Sequence, residues 1–341
     1  MKRRILMILF LPLLFLVFFT FMFFAHNMMT QESNAFHQAS TKVVPLQTKS
    51  IFSQSIPYAI GAIVPGFPPP GGLESFETQI GGRLDVVGWF QHWDHKIVSD
   101  QLLILCQQNN PRIPYITWEP WHGDGEGNPF PLTEIAAGQY DGFIRKSWLQ
   151  IYQACPNKEI LVRPMHEMNT KPGDAPWYPW QGDPETYIAA WRRIVGIARE
   201  VAPNTHWIWG LTKSSNNLQY AELYYPGDEW VNYIGVTMNQ YWSSSNGRTW
   251  ASFNESYSEV RPYLVQFGKP VFVAEVATGE GPKVDSKAQF VAELFEAQTQ
   301  FPEVIGFVWL NNPSSKEDKN VIFLVDSSEV SLAAWGDHTK K

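Results

Sequence analysis

Leu161-Val162-Arg163-Pro164-Met165-His166-Glu167-Met168-Asn169 is a short apolar run that turns basic, meets a proline and ends near a carboxylate. About a hundred residues later, Pro270-Val271-Phe272-Val273-Ala274-Glu275-Val276 has the same form. In a parallel α/β protein the carboxyl ends of the strands open into the active site, so Glu167 and Glu275 are expected to face one cleft. Two carboxylates across a cleft are the machinery of glycoside hydrolysis.

Working outward, strand-like runs occur at Tyr58–Val64, Leu84–Phe90, Ile113–Thr117, Ile160–Arg163, Thr205–Trp209, Tyr233–Met238, Pro270–Val276 and Val304–Trp309. Between most of them lie helix-period stretches: Ser99–Gln108, Asp141–Ala154, Pro184–Val201 with its Ile188, Trp191, Ile194, Val195, Ala198 stripe, and Ser286–Gln300. Eight strands alternating with helices predict a (β/α)8 TIM barrel rather than a doubly wound sheet, which normally stops at fewer strands. The barrel domain is expected over residues 56–341. On this count Glu167 follows the fourth strand and Glu275 ends the seventh. The one Gly-dense stretch, Pro65 to Gly72, is too rich in proline to cradle phosphates and reads as a rigid turn. No cofactor is implied.

Composition narrows the function classes. Fifteen Trp among 341 residues exceed what core packing ordinarily needs, and Trp faces are stacking platforms for pyranose rings. A formal charge of −7 argues against nucleic acid as a partner. His92, His95, His122 and His166 show no metal-ligand spacing, so no metal site is expected.

Met1-Lys2-Arg3-Arg4 precedes an apolar run from Ile5 to Ala25, long enough to cross a bilayer. Its length and the poor small-residue pattern before Ala25 favour an uncleaved anchor within residues 1–25, with a cleaved signal peptide and secretion as the alternative. The basic residues before the span place the chain beyond residue 25 outside the cytoplasm. Residues 26–55 are polar and read as a flexible linker. Cys106 and Cys155, both near ends of helix-like segments, are either a disulfide in that oxidising compartment or two buried thiols.

The segment Arg163-Pro164-Met165-His166-Glu167-Met168-Asn169, followed by Trp177-Tyr178-Pro179-Trp180, closely resembles the acid/base segment of glycoside hydrolase family 26. The resemblance covers roughly residues 56–335. It implies a (β/α)8 barrel and a retaining mechanism, with Glu167 as acid/base and Glu275 as nucleophile. It also implies an endo-acting enzyme on a β-linked polysaccharide: β-1,4-mannan first, as in most of the family, then mixed-linkage β-1,3-1,4-glucan. The alternative is a barrel that has lost turnover and binds carbohydrate in exopolysaccharide handling.

The neighbouring residues divide by expected role. Arg163 is placed to organise charge around the carboxylates, and His166 to hydrogen-bond a carboxylate or a sugar hydroxyl. Asn169 and Trp118 belong to the supporting set. Glu119 stands where many mannanases of the family have a His after the Trp; it is expected to bind a sugar hydroxyl or to pair with an arginine. In Tyr233 to Trp242, the Asp and Tyr that the family usually carries are missing in register, leaving Asn239, or Tyr241 through a bulge, to support the nucleophile. Trp177, Trp180, Trp242 and Trp309 follow strands and are expected to stack on sugar; Trp148 and Trp191 are expected in the core. Glu280, five residues past Glu275, is read as a loop residue.

Overall fold

The computed structural model describes residues 51–339, except residues 53–55, 69–71, 123–126, 175, 214–216 and 314–317. The expected membrane span and all but the last part of the expected linker lie outside the described residues. Among the described residues no helix is long and apolar enough to cross a membrane.

Eight strands close a parallel barrel in chain order: β1 (Ala59–Ile63), β2 (Val86–His92), β3 (Ile113–Glu119), β4 (Ile160–Pro164), β5 (Thr205–Thr212), β6 (Tyr233–Gln240), β7 (Val271–Thr278) and β8 (Val304–Leu310). The seam is β1 against β8, with Ala59 opposite Gly306 and Ile63 opposite Leu310. Because both faces of such strands are covered, they read as near-continuous apolar runs. All eight expected strands are present, several extended by two or three residues at their carboxyl ends.

Helices lie between most of the strands and after β8: α1 (Gly72–Ile80), α2 (Asp100–Leu105), α3 (Leu132–Ala137), α4 (Asp141–Ala154), α5 (Pro184–Val201), α6 (Phe253–Val265), α7 (Ser286–Phe295), α8 (Ala297–Gln300) and α9 (Glu329–Thr339). The expected single helix over Ser286–Gln300 breaks at Glu296 into α7 and α8. Helix α6 starts at a capping box: Ser252 accepts from the Glu255 N–H while the Glu255 carboxylate accepts from the Ser252 N–H. That pairing satisfies N–H groups the first turn would otherwise leave open.

Two apolar layers hold the barrel. Inside it, Val86, Tyr115, Leu161, Ile208, Phe272 and Val308 fill the lumen. Outside, the strands pack on the helices, where Trp148 and Trp191 are fully buried as expected. Ile51 and Phe52, inside the stretch expected as linker, pack against the inner layer, Phe52 stacking on Phe272 at 5.7 Å. Their burial of apolar surface carries the barrel's packing five residues ahead of residue 56.

Cys106, which caps α2, and Cys155, which caps α4, are joined as a disulfide with a Cα separation of 5.3 Å. Beside it, the Lys158 ammonium donates to the carbonyls of Leu105, Asn110 and Arg112. Disulfide and lysine together tie the segment after α2 to the end of α4.

Candidate active site

Pro164 closes β4, and the chain then turns sharply. Met165 and Glu167 both adopt left-handed backbone conformations, φ 44° and 57°, which side-chain-bearing residues seldom take. Such conformations cost about 1–3 kcal/mol each and persist where surrounding bonds over-determine them. Here the Glu167 N–H donates to the Gly210 carbonyl at 2.7 Å and its carbonyl accepts from Gln181 Nε2 at 2.7 Å. Tyr187 Oη donates to the Met165 carbonyl, and Trp180 Nε1 to the His166 carbonyl. Asn169, fully buried, bonds both the N–H and the carbonyl of Thr212. The turn that presents Glu167 is therefore fastened to β5, to α5 and to the segment before α5.

Glu275 lies within β7, three residues before its end, opposite Thr237 of β6. Its Oε2 accepts from Arg163 Nη2 at 2.7 Å and its Oε1 from Asn239 Nδ2 at 2.8 Å. Arg163 is itself fully buried, donating to Thr117 and Thr237 hydroxyls, with the Tyr115 ring 5.7 Å from its guanidinium carbon. Burial opposes the guanidinium charge, but Tyr115, Glu275 and Glu167 together hold its pKa above the usual value. A buried ion pair satisfied on every side in this way fixes geometry more than it adds stability.

Asn239 bonds Glu275 directly, and Tyr241 Oη lies 3.5 Å from Asn239 Nδ2. Both residues line a cleft of about 810 Å³ with Glu167, Trp177, Trp242 and Arg248. Trp177 is 48% exposed, an open indole face at the cleft.

Three expected stacking or binding residues lie elsewhere. Trp309 is fully buried, donates Nε1–H to the Phe323 carbonyl and packs edge-on against Trp335 at 5.6 Å. Its side chain falls on the helix side of β8, so it belongs to the outer core. Trp180 is also fully buried, one face stacked on Tyr178 at 4.6 Å, and offers no face to a sugar. Trp118 packs on Trp93 and Trp148 beneath the helices. Alternation along the strand decides the placements of Trp118 in β3 and Trp309 in β8. Glu280 bonds Ser327 and Ser328, and its carboxylate belongs to that loop contact.

Glu119 is buried, facing His92 Nδ1 at 3.3 Å and His166 Nδ1 at 3.8 Å. Burial, then Arg163 and His92, hold the His166 pKa well below the usual imidazole value, so the ring is neutral. Tyr178 is not among the expected site residues, yet Glu167, Glu119 and Glu275 all act on it: burial and these carboxylates raise its pKa, keeping a neutral phenol. Thr117 and Thr237, which orient Arg163, are not among them either. Their position opposite Arg163 and Glu275 in the strand register is the signal that finds them. Among the described residues no group of three or more acidic, His or Cys side chains is arranged to hold a metal ion.

The family model for glycosyl hydrolase family 26 matches residues 148–327, which includes both carboxylates. The chain belongs to glycosyl hydrolase family 26. Endoglucanase H of Acetivibrio thermocellus is 32% identical to this family 26 chain over 288 residues, 81% of the chain and 30% of that protein. The chain thus spans under a third of that relative's length. Among solved structures, a β-mannanase of Bacteroides ovatus superposes with a TM-score of 0.60 at 13% identity, covering 84% of this chain and 89% of that one. The catalytic domain of an endo-β-1,4-mannanase from Bacillus sp. JAMB-750 does so with a TM-score of 0.60 at 12% identity, covering 84% and 86%. At those identities the two structures speak for the barrel fold.

Proposed function

We propose that this family 26 chain is a retaining endo-β-glycanase in which Glu275 attacks the anomeric carbon and Glu167 protonates the leaving oxygen. The observation that carries this reading is the two-point fastening of Glu275. Arg163 and Asn239 pin both carboxylate oxygens at the barrel mouth, which suits a nucleophile that must meet one carbon in one orientation. Glu167, presented to the cleft from its strained turn after β4, suits the proton donor. In the first step the Glu275–carbon bond forms as the glycosidic C–O bond breaks, and the proton of Glu167 goes to the departing oxygen. Water, deprotonated by Glu167, then releases the sugar from Glu275.

The substrate we favour is a β-glucan, with mixed-linkage β-1,3-1,4-glucan ahead of β-1,4-mannan. Two things support glucan: the relative at 32% identity is named an endoglucanase, and Glu119 replaces the His that many mannanases of the family carry. The epimers differ at one hydroxyl, and a site built to bond one leaves polar groups unpaired with the other. The protein acts outside the cytoplasm, held by the apolar run at residues 5–25; the disulfide between Cys106 and Cys155 fits an oxidising compartment.

The test is product analysis on mixed-linkage glucan, mannan, β-1,3-xylan and cellulose. Oligosaccharides released fastest from mixed-linkage glucan, with the β configuration kept at the new reducing end, are expected. Faster release from mannan would overturn the substrate, inversion would overturn the mechanism, and no release from any polymer would overturn the enzyme.

A further inference from the structure

Strands β2, β3 and β4 end side by side, and each brings one titratable side chain to the same spot. His92 and Glu119 are register partners at the ends of β2 and β3. His166 follows β4 and immediately precedes Glu167. Each oxygen of the Glu119 carboxylate faces a different imidazole, Oε2 toward His92 Nδ1 at 3.3 Å and Oε1 toward His166 Nδ1 at 3.8 Å. The His166 ring is held by Tyr178 at 4.9 Å, Trp180 at 5.8 Å and Phe90 at 6.1 Å between centroids. Its Nδ1 is sealed from solvent and, among the described residues, has no hydrogen-bond partner at bonding distance.

A carboxylate oxygen presents only lone pairs, and so does an unprotonated ring nitrogen; two such atoms facing each other at this distance repel. The proton of His166 therefore sits on Nδ1, where it points at Glu119. The ring is neutral, because burial, with Arg163 and His92 nearby, disfavours a second proton. A neutral imidazole has one N–H. Its Nε2 must then carry a lone pair.

We infer that Glu119 is a positioning residue that locks His166 in the Nδ1–H tautomer, so that Nε2 accepts a hydrogen bond from a substrate hydroxyl next to the bond cleaved at Glu167. His92, on the other carboxylate oxygen, keeps Glu119 from turning away. The assignment rests on the glycanase reading and names what that site selects: a sugar bearing a free O–H donor at this position, against one etherified or fluorinated there. A carboxylate behind a histidine sets tautomer and ring orientation in the same way at metal centres, and losing it there costs about 10- to 100-fold.

The experiment uses full-length protein with 15N-labelled histidine and reads long-range proton–nitrogen correlations at neutral pH. The His166 signals are those lost in His166→Gln. The expected spectrum shows Nδ1 protonated and Nε2 unprotonated. In Glu119→Ala the Nε2 signal should move toward the protonated position, with kcat/KM on the preferred polymer down about 10- to 100-fold. Because Glu119 acts through His166, the double variant Glu119→Ala/His166→Gln should be no slower than the worse single one.

A protonated Nε2 in the wild type overturns the inference, and so does an unchanged tautomer in Glu119→Ala. Losses that simply add also overturn it. If Glu119→Ala fails to fold, the wild-type spectrum still decides. That spectrum is read without substrate, so a failure of the glycanase reading would appear as absent turnover with the tautomer intact, and a failure of this inference as a protonated Nε2.

Discussion

Glu275 takes its two donors from different strands, Arg163 of β4 and Asn239 of β6, whereas Glu167 takes its position from backbone bonds around a left-handed turn. Their losses should therefore differ in kind. Glu275→Ala removes the attacking group and should reduce turnover on every substrate to near background. Glu167→Ala removes only the proton donor. It should retain measurable activity on an activated aryl glycoside, whose leaving group needs little protonation, and added azide should yield a β-glycosyl azide. Equal residual activity of the two variants on all substrates would refute the assignment. His166 supplies a second prediction. Its pKa in the folded protein lies well below 6.5, so below pH 6.5 the unfolded chain takes up a proton that the folded chain refuses. The folded state keeps its full stability above pH 6.5 and loses up to about 1.4 kcal/mol per pH unit as pH falls from there toward the folded-state value. Denaturant unfolding at pH 7.5 and at pH 5.5, run on wild type and His166→Gln, should show a smaller drop for the variant. At this scale the residue types were legible: two carboxylates, an arginine and a histidine at strand ends. Which oxygen meets which donor was not, since Arg163 and Asn239 reach Glu275 from strands 112 and 36 residues away in sequence.

Elements were legible where they are long or where their ends carry local chemistry. Helix α5 runs from Pro184 to Val201, as its apolar stripe predicts, with Asp183 accepting from the Thr186 N–H at its start. Helix α3 spans only Leu132–Ala137, too short for a period to register. The disulfide is the crosslink that depends on where two helices end. It closes a sequence separation of 49 residues, and loop-closure entropy puts its contribution at about 4 kcal/mol. Cys106→Ser/Cys155→Ser, or wild type unfolded in the presence of a reductant, should lose stability of that order in denaturant titration. The cleft residues lie at the opposite ends of the strands, so the folded variant should keep its kcat/KM. A loss below about 1 kcal/mol would mean that the Lys158 contacts alone hold this corner.

As a whole the molecule is a barrel that gathers both carboxylates at one mouth, with Phe52 packed against the lumen residues Tyr233 and Phe272. The proposed anchor makes a prediction at this scale: full-length protein should sediment with membranes, and protein lacking residues 1–49 should stay in the supernatant with undiminished kcat/KM. Recovery of mature protein from the medium with a new terminus just after Ala25 would refute the anchor and favour a cleaved signal. The sequence by itself determined the barrel and the two catalytic candidates. Strand periodicity, the proline after Arg163 and a carboxylate at a strand end are all written within a few residues. Only the tertiary structure decided that Trp309 and Trp180 are core while Trp177 faces the cleft, that Cys106 meets Cys155, and that Glu119 stands between two histidines. Each of these depends on how side chains from elements far apart in sequence share one space. The closing of β1 on β8, and the register it imposes on every strand between, is a property of no single segment.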